Sequence, residues 1–137
     1  MAAALPASTQ SAVPAATKIT AAMTAAAWQA SIDVDPAAII ACTRSGWTAK
    51  AISRFRPKCQ LVGVTPSERT ARQLSLVWGV TPICVAELAT SDELVWVAVE
   101  AAVTAGYVSA GDIVAVLAGS PKEDVPTTDV LRLVHLR

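Results

Sequence analysis

The stretch AAIIACTRSGWT at residues 37–48 decides the fold, because an uninterrupted apolar run is followed at once by a polar turn. The run from Ala37 to Cys42 has the length of a strand, and its lack of alternation predicts burial on both faces of a parallel sheet. The turn contains Gly46 and leads into a helix predicted over 49–55, which ends before Pro57. A strand, a turn and a helix in this order predict an α/β fold.

The same alternation continues in both directions from this stretch. Strands are predicted at 37–42, 61–64, 80–85, 113–118 and 130–136, and helices at 19 to about 35, 49–55, 66–78 and 94–105. Thr65 is predicted to cap the third helix, with Pro66 at its first position. No helix separates the last two strands, so the last strand is predicted to be antiparallel. The expected fold is a three-layer α/β sandwich: a five-stranded, mostly parallel sheet with helices on both faces.

Length and composition predict one domain. The chain has 137 residues, of which residues 1–18 are interpreted as a flexible Ala/Ser/Pro-rich arm or linker and residues 19–137 as the folded domain. No signal peptide or membrane-spanning run is recognised, so the protein is expected to be soluble and cytoplasmic. Eleven basic and eleven acidic residues show no stripe of either sign, which argues against nucleic acid or membrane as a partner. Three unpaired cysteines are interpreted as reduced thiols.

A candidate anion site is the polar turn at the end of the first strand. It consists of Thr43, Arg44, Ser45, Gly46, Trp47 and Thr48. Hydroxyls, a glycine and the start of a helix supply hydrogen-bond donors for a phosphate, and an arginine adds charge. The spacing matches neither a Walker loop nor a dinucleotide fingerprint. Ser and Thr before a helix are also common caps, so a purely structural turn remains the alternative.

The second candidate is the loop Gly119–Asp129, which contains Thr127 and Thr128. In a doubly wound sheet the first and fourth strands are neighbours, so this loop and the turn share one crevice. A plain surface hairpin is the alternative. Elsewhere, His135 has no Ser or Cys partner, Cys42 is interpreted as an inert core thiol, and the aspartates fall in turns. No catalytic residue and no metal site are predicted.

The turn also carries a family resemblance. The run from Ile39 to Ala49, followed by Ile52 to Pro57, resembles the opening of the C-terminal α/β domain of pyruvate kinase. Further similar segments follow in family order at Val64–Pro66, Thr70–Leu74, Trp78–Val80, Gly111–Asp112 and Ala118–Gly119. In effector-activated relatives the T-x-S-G-x-[ST] turn holds a phosphate of a phosphorylated sugar and the loop after the fourth strand closes over it. The resemblance therefore implies an effector or phosphate site formed by the turn together with Thr127 and Thr128.

The resemblance also implies a role in subunit assembly, as a homo-oligomer or with a pyruvate kinase barrel. The family converts phosphoenolpyruvate and ADP to pyruvate and ATP in glycolysis, in a β/α barrel that holds Mg²⁺ and K⁺. That barrel is not among these residues, so no cofactor and no catalysis are expected of this chain alone. A free-standing phosphometabolite-binding module and a structural oligomerisation domain remain alternatives.

One segment departs from the family. Where the family commonly has G-[ST]-T-N, this chain has Pro126-Thr127-Thr128-Asp129, which removes a backbone donor and adds a negative charge. Glu123 and Asp124 also oppose an anion. The expected effector is therefore smaller or singly phosphorylated, or the turn binds none.

Overall fold

The computed structural model describes residues 13–86, 91–119 and 127–137. The helices are α1 (Ala15–Val34), α2 (Trp47–Ser53), α3 (Glu68–Leu74) and α4 (Ser91–Thr104). The strands are β1 (Ala38–Cys42), β2 (Gln60–Thr65), β3 (Val80–Cys84), β4 (Ile113–Ala118) and β5 (Val130–His135). Strands and helices alternate along the chain up to β4, and the next element among the described residues is β5.

The five strands form one sheet in the order β3-β2-β1-β4-β5. β1 is parallel to β2 and to β4, and β2 is parallel to β3, whereas β4 and β5 are antiparallel. The predicted α/β fold with an antiparallel last strand is therefore confirmed. The order reverses at β1, which places the carboxyl ends of β1 and β4 side by side.

Helices cover the sheet on both faces. On one face the core joins Ile39 and Ala41 of β1 to α1, α2 and α3, through residues such as Ala27, Ile52 and Leu74. On the other face Ile40 packs with α4 residues such as Val95. Successive β1 side chains thus enter opposite cores, and all five β1 residues are buried. This burial explains why the strand has no polar alternation.

All four helix starts differ from the sequence-based expectation: α4 begins at Ser91 rather than at 94, and α3 also ends earlier, at Leu74 rather than at 78. α1 begins at Ala15 rather than Ile19, because the alanine-rich residues before Ile19 have high helix propensity. α2 begins at Trp47 rather than Ala49. The cap of α3 is Ser67, whose hydroxyl accepts a hydrogen bond from the Thr70 N–H at 3.1 Å. Pro66 therefore precedes the cap instead of occupying the first helical position, and the assignment of Thr65 as the cap was wrong.

Two predicted segments lie largely or partly outside the described residues. Residues 1–12 contain most of the predicted arm, and residues 120–126 contain the middle of the predicted loop, including Glu123, Asp124 and Pro126. Within the described ranges, no helix combines the length and the apolar character needed to cross a membrane.

Candidate functional site

The candidate site lies at the carboxyl ends of the three central strands. Ala41 of β1 pairs with Leu117 of β4, so the chain leaves both strands at the same edge of the sheet. The Thr43 N–H donates to the Val64 carbonyl at 2.9 Å, which extends the β1–β2 ladder into the turn. On the other side of β1, the Asp129 N–H donates to the Ala118 carbonyl at 3.1 Å. The turn after β1 and the segment before β5 are thus neighbours.

The turn at residues 43–46 is shaped by its own polar groups. The Thr43 hydroxyl accepts a hydrogen bond from the Gly46 N–H at 2.9 Å, and the Ser45 hydroxyl accepts one from the Trp47 N–H at 3.3 Å. Gly46 has φ +89°, a left-handed conformation that favours glycine. A Cβ at this position would also lie 3.3 Å from Leu74 Cδ2. Both the backbone angle and the close helix packing therefore require glycine here.

A buried hydrogen bond joins the turn to the segment before β5. The hydroxyls of Thr48 and Thr128 are 2.5 Å apart, and either oxygen is able to donate. The Thr128 N–H donates to the Thr20 hydroxyl of α1 at 3.3 Å. Thr128 therefore links α1, α2 and the β4–β5 connection at one point. The two regions selected from the sequence are brought into direct contact.

The eight predicted site residues divide by exposure. Buried members are Thr43, Gly46, Thr48 and Thr128; exposed members are Arg44, Ser45 and Trp47; and Thr127 is half-buried. The buried hydroxyls of Thr43, Thr48 and Thr128 each take part in an internal hydrogen bond, so they hold the turn in shape. Arg44 and Ser45 have the exposure that contact with a dissolved anion requires. The Arg54 guanidinium lies 6.0 Å from the Trp47 ring centroid, on the same side of the domain.

Charge is distributed unevenly along the sequence around the turn. Residues 36–86 contain seven of the eleven basic residues and one acidic residue, Glu68. The basic residues are Arg44, Lys50, Arg54, Arg56, Lys58, Arg69 and Arg72. This part of the chain includes α2 and α3, so the sequence around the turn has an excess of basic residues although the net charge of the whole chain is zero. A basic surface raises the local concentration of anions.

Cys42 ends β1 immediately before the turn. Burial raises the pKa of its thiol from the ordinary 9.0 to about 12. The thiol is therefore protonated at neutral pH, and a thiolate nucleophile is not present at the start of the turn. Among the described residues, no group of three or more His, Cys, Asp and Glu side chains is arranged to hold a metal ion.

Two residues that support the site were not selected from the sequence, and a third, Gly119, was selected only as the first residue of the loop. The Thr70 hydroxyl of α3 donates to the Arg44 carbonyl at 2.6 Å, and Thr20 accepts from Thr128. Gly119 leaves no room for a Cβ, because the Thr127 carbonyl oxygen occupies that space. Thr20 and Thr70 are nearly buried polar residues within helices, and this burial is the only local feature that distinguishes them. Their partners lie far away in sequence and become visible only in the folded chain.

Fold and site together define a class: a three-layer α/β domain with a polar, basic turn at the point where the sheet order reverses. Residues 21–134 match the model of the pyruvate kinase α/β domain. The chain belongs to this family, and the resemblance read from the turn is confirmed.

Curated relatives agree with this assignment. The chain is 43% identical over 104 residues to pyruvate kinase of Clostridium acetobutylicum, a match that covers 76% of this chain and 22% of that protein. Pyruvate kinases of Staphylococcus epidermidis and Staphylococcus aureus strain USA300 are each 43% identical over 105 residues, covering 77% of this chain and 18% of theirs. The matched region thus corresponds to about a fifth of each relative.

Proposed function

We propose that this chain is the effector-binding and assembly domain of a pyruvate kinase. In this proposal phosphoryl transfer from phosphoenolpyruvate to ADP takes place in the family's catalytic barrel, and this domain binds a phosphorylated metabolite that regulates it. The observation that carries the proposal is the contact between Thr48 and Thr128 in a member of this family. It supports the proposal because it joins the two segments for which the family resemblance implies an effector site.

The turn supplies three kinds of attraction for a phosphate. The first N–H groups of α2 have no partner within the helix, and the helix dipole is positive at this end. Arg44 adds a charged donor, and Ser45 is exposed beside it. The basic surroundings add a longer-range attraction. These contributions favour an anion with one phosphate group over a neutral sugar.

The Thr48–Thr128 pair limits how many hydrogen bonds the segment before β5 is able to donate to a ligand. Two hydroxyls carry two protons, and one of these lies in the bond between them. The pair therefore retains a single proton for another acceptor, which suits one anionic oxygen. Asp129 follows directly and adds a negative charge beside this segment. The proposal accordingly names a singly phosphorylated or small effector.

Assembly is proposed to use the face covered by α1, α2 and α3. Large apolar side chains are exposed on this face, including Phe55, Leu76 and Trp78. Phe55 stacks on Trp28 of α1 with ring centroids 5.4 Å apart, so it is held in place. Exposed apolar groups held rigidly on one face favour a protein contact. A second copy of this chain is the proposed partner.

The proposal is tested by titrating the purified chain with glucose 6-phosphate while its melting temperature is followed. A ligand that binds only the folded state raises the melting temperature by mass action. We expect a saturable rise with glucose 6-phosphate and none with glucose. Equal effects of the two compounds would show that the turn does not recognise phosphate.

The same preparation is expected to show no turnover of phosphoenolpyruvate with ADP, Mg²⁺ and K⁺, since the family's active site belongs to the barrel. Turnover by a clean preparation, lost in the Ser45→Ala variant, would contradict the assignment to a regulatory role.

A further inference from the structure

We propose that Thr20 of α1 is a positioning residue for the anion-binding turn, and that it links occupancy of the turn to α1. The inference rests on the proposed function, because it concerns the regulation of the same site. It adds a residue outside both segments that the sequence indicated.

The chain of contacts has two steps. The Thr20 hydroxyl accepts a hydrogen bond from the Thr128 N–H at 3.3 Å, and the Thr128 hydroxyl pairs with Thr48 at 2.5 Å. Thr20, Thr48 and Thr128 are all buried. Because these groups are almost entirely shielded from water, a lost bond is only poorly replaced by a bond to solvent. The position of Thr128 is thus fixed jointly by two helices.

This arrangement gives Thr128 two constraints at opposite ends of one residue. Its backbone N–H is bonded to Thr20 of α1, while its side-chain hydroxyl is bonded to Thr48 at the start of α2. A ligand that pulls the Thr48 hydroxyl toward an anionic oxygen changes the bond to Thr128, and Thr128 transmits the change through its N–H to Thr20. Conversely, loss of the Thr20 hydroxyl frees the Thr128 backbone and loosens the Thr48 hydroxyl.

The packing of α1 makes such a link effective. α1 contributes Ala27 to the core beneath α2 and is in contact with both β4 and β5. Movement of α1 relative to Thr128 therefore requires movement against a packed core, in which side chains are close together and interdigitated. A small shift at the turn is consequently passed to α1 rather than absorbed locally.

The test compares Thr20→Val with Thr24→Val. Thr24 is equally buried in the same helix, but its hydroxyl donates to the Ala21 carbonyl at 3.0 Å within α1. Valine keeps the shape and branching of threonine in both variants. With inorganic phosphate as the probe, we expect Thr20→Val to weaken binding about three- to tenfold, the equivalent of one ordinary hydrogen bond. Thr24→Val is expected to bind as the parent does, and Thr20→Ser to restore the affinity.

Amide hydrogen exchange at Trp47 and Thr48 in the absence of phosphate distinguishes a positioning role of Thr20 from a merely structural one. We expect faster exchange at these α2 residues in Thr20→Val and unchanged exchange in Thr24→Val. Equal exchange in the two variants, or equal phosphate affinity, would overturn the inference. If the parent binds no phosphate, the proposed function fails, while the exchange comparison still decides whether Thr20 positions the turn. Should Thr20→Val not fold, Thr20→Ala and Thr20→Ser are compared instead: exchange at Thr128 that is faster in Thr20→Ala than in Thr20→Ser supports the link, and equal exchange in the two variants contradicts it.

Discussion

Thr48, the second residue of α2, and Thr128, which lies 80 positions later, share a buried hydrogen bond of 2.5 Å. The bond closes the crevice between the turn after β1 and the segment before β5. Both residues are Thr, so each hydroxyl sits on a branched carbon with few accessible rotamers. The junction is therefore a fixed feature of the fold.

Thr48→Val is expected to destabilise the domain. The substitution leaves the buried Thr128 hydroxyl without its partner, and an unpaired buried polar group costs about 1–3 kcal/mol. Urea unfolding measures the change in unfolding free energy, with Thr48→Ser as the control that keeps a hydroxyl. A stability equal to that of the parent in Thr48→Val would show that the junction is not energetically important.

Gly46→Ala is expected to cost more stability than Gly79→Ala. Both glycines have positive φ, +89° and +73°, so both substitutions impose backbone strain of about 1–2 kcal/mol. Only at Gly46 does the added Cβ also approach Leu74, at 3.3 Å, whereas nothing lies within 4 Å at Gly79. The difference between the two unfolding free energies isolates the packing of the turn against α3. Equal losses would mean that α3 yields without cost.

Stability is expected to fall between pH 9 and pH 12 because of Cys42. Burial raises the pKa of its thiol from 9.0 in the unfolded chain to about 12 in the fold. Within this window the unfolded state has released a proton that the folded state retains, so unfolding becomes more favourable as the pH rises. Burial also raises the pKa of Cys59, in the same direction.

Unfolding curves at pH 8 and pH 10.5 measure this effect. The parent is expected to lose more stability between the two pH values than Cys42→Ala, which retains only the smaller contribution of Cys59. An identical pH dependence in both chains would contradict the assigned burial of the Cys42 thiol.

The central sheet was predictable because its strands are marked by composition alone. β1 and β4 are apolar on every residue, and only a strand between two helical layers places all of its side chains in a core. The antiparallel direction of β5 followed from the lack of a helix after β4. Helix starts were less predictable, since Ser67 and Thr65 are both good caps and tertiary packing selects between them.

The site was predictable in position but not in its internal contacts. The shared edge of β1 and β4 placed the turn beside Thr128, but no local pattern indicates that Thr20 would accept from Thr128 or that Thr70 would hold the Arg44 carbonyl. These bonds depend on how α1 and α3 pack on the sheet.

Self-association is expected to depend on the face covered by α1, α2 and α3. Phe55→Glu places a charge among exposed apolar side chains and should shift the chain toward monomer in sedimentation velocity. The control is Trp96→Ser on α4, on the opposite side of the sheet, which removes a tryptophan that is more exposed than Phe55 and should leave association unchanged. Monomer at all concentrations in the parent, or dissociation by Trp96→Ser alone, would contradict this choice of face.

The most direct test of phosphate recognition at the turn is calorimetric titration of the parent and of Ser45→Ala with glucose 6-phosphate. Ser45 is exposed and accepts only a local bond from the Trp47 N–H, so its loss should remove a ligand contact without unfolding the domain. Ser75→Ala is the matched control, since the Ser75 hydroxyl is likewise exposed and locally bonded, to the Arg72 carbonyl. We predict saturable binding that Ser45→Ala weakens by about 1.5–3 kcal/mol, the range for hydrogen bonds to a charged group, and that Ser75→Ala leaves unchanged. Absence of binding in the parent, or equal affinities in Ser45→Ala and the parent, would contradict the account.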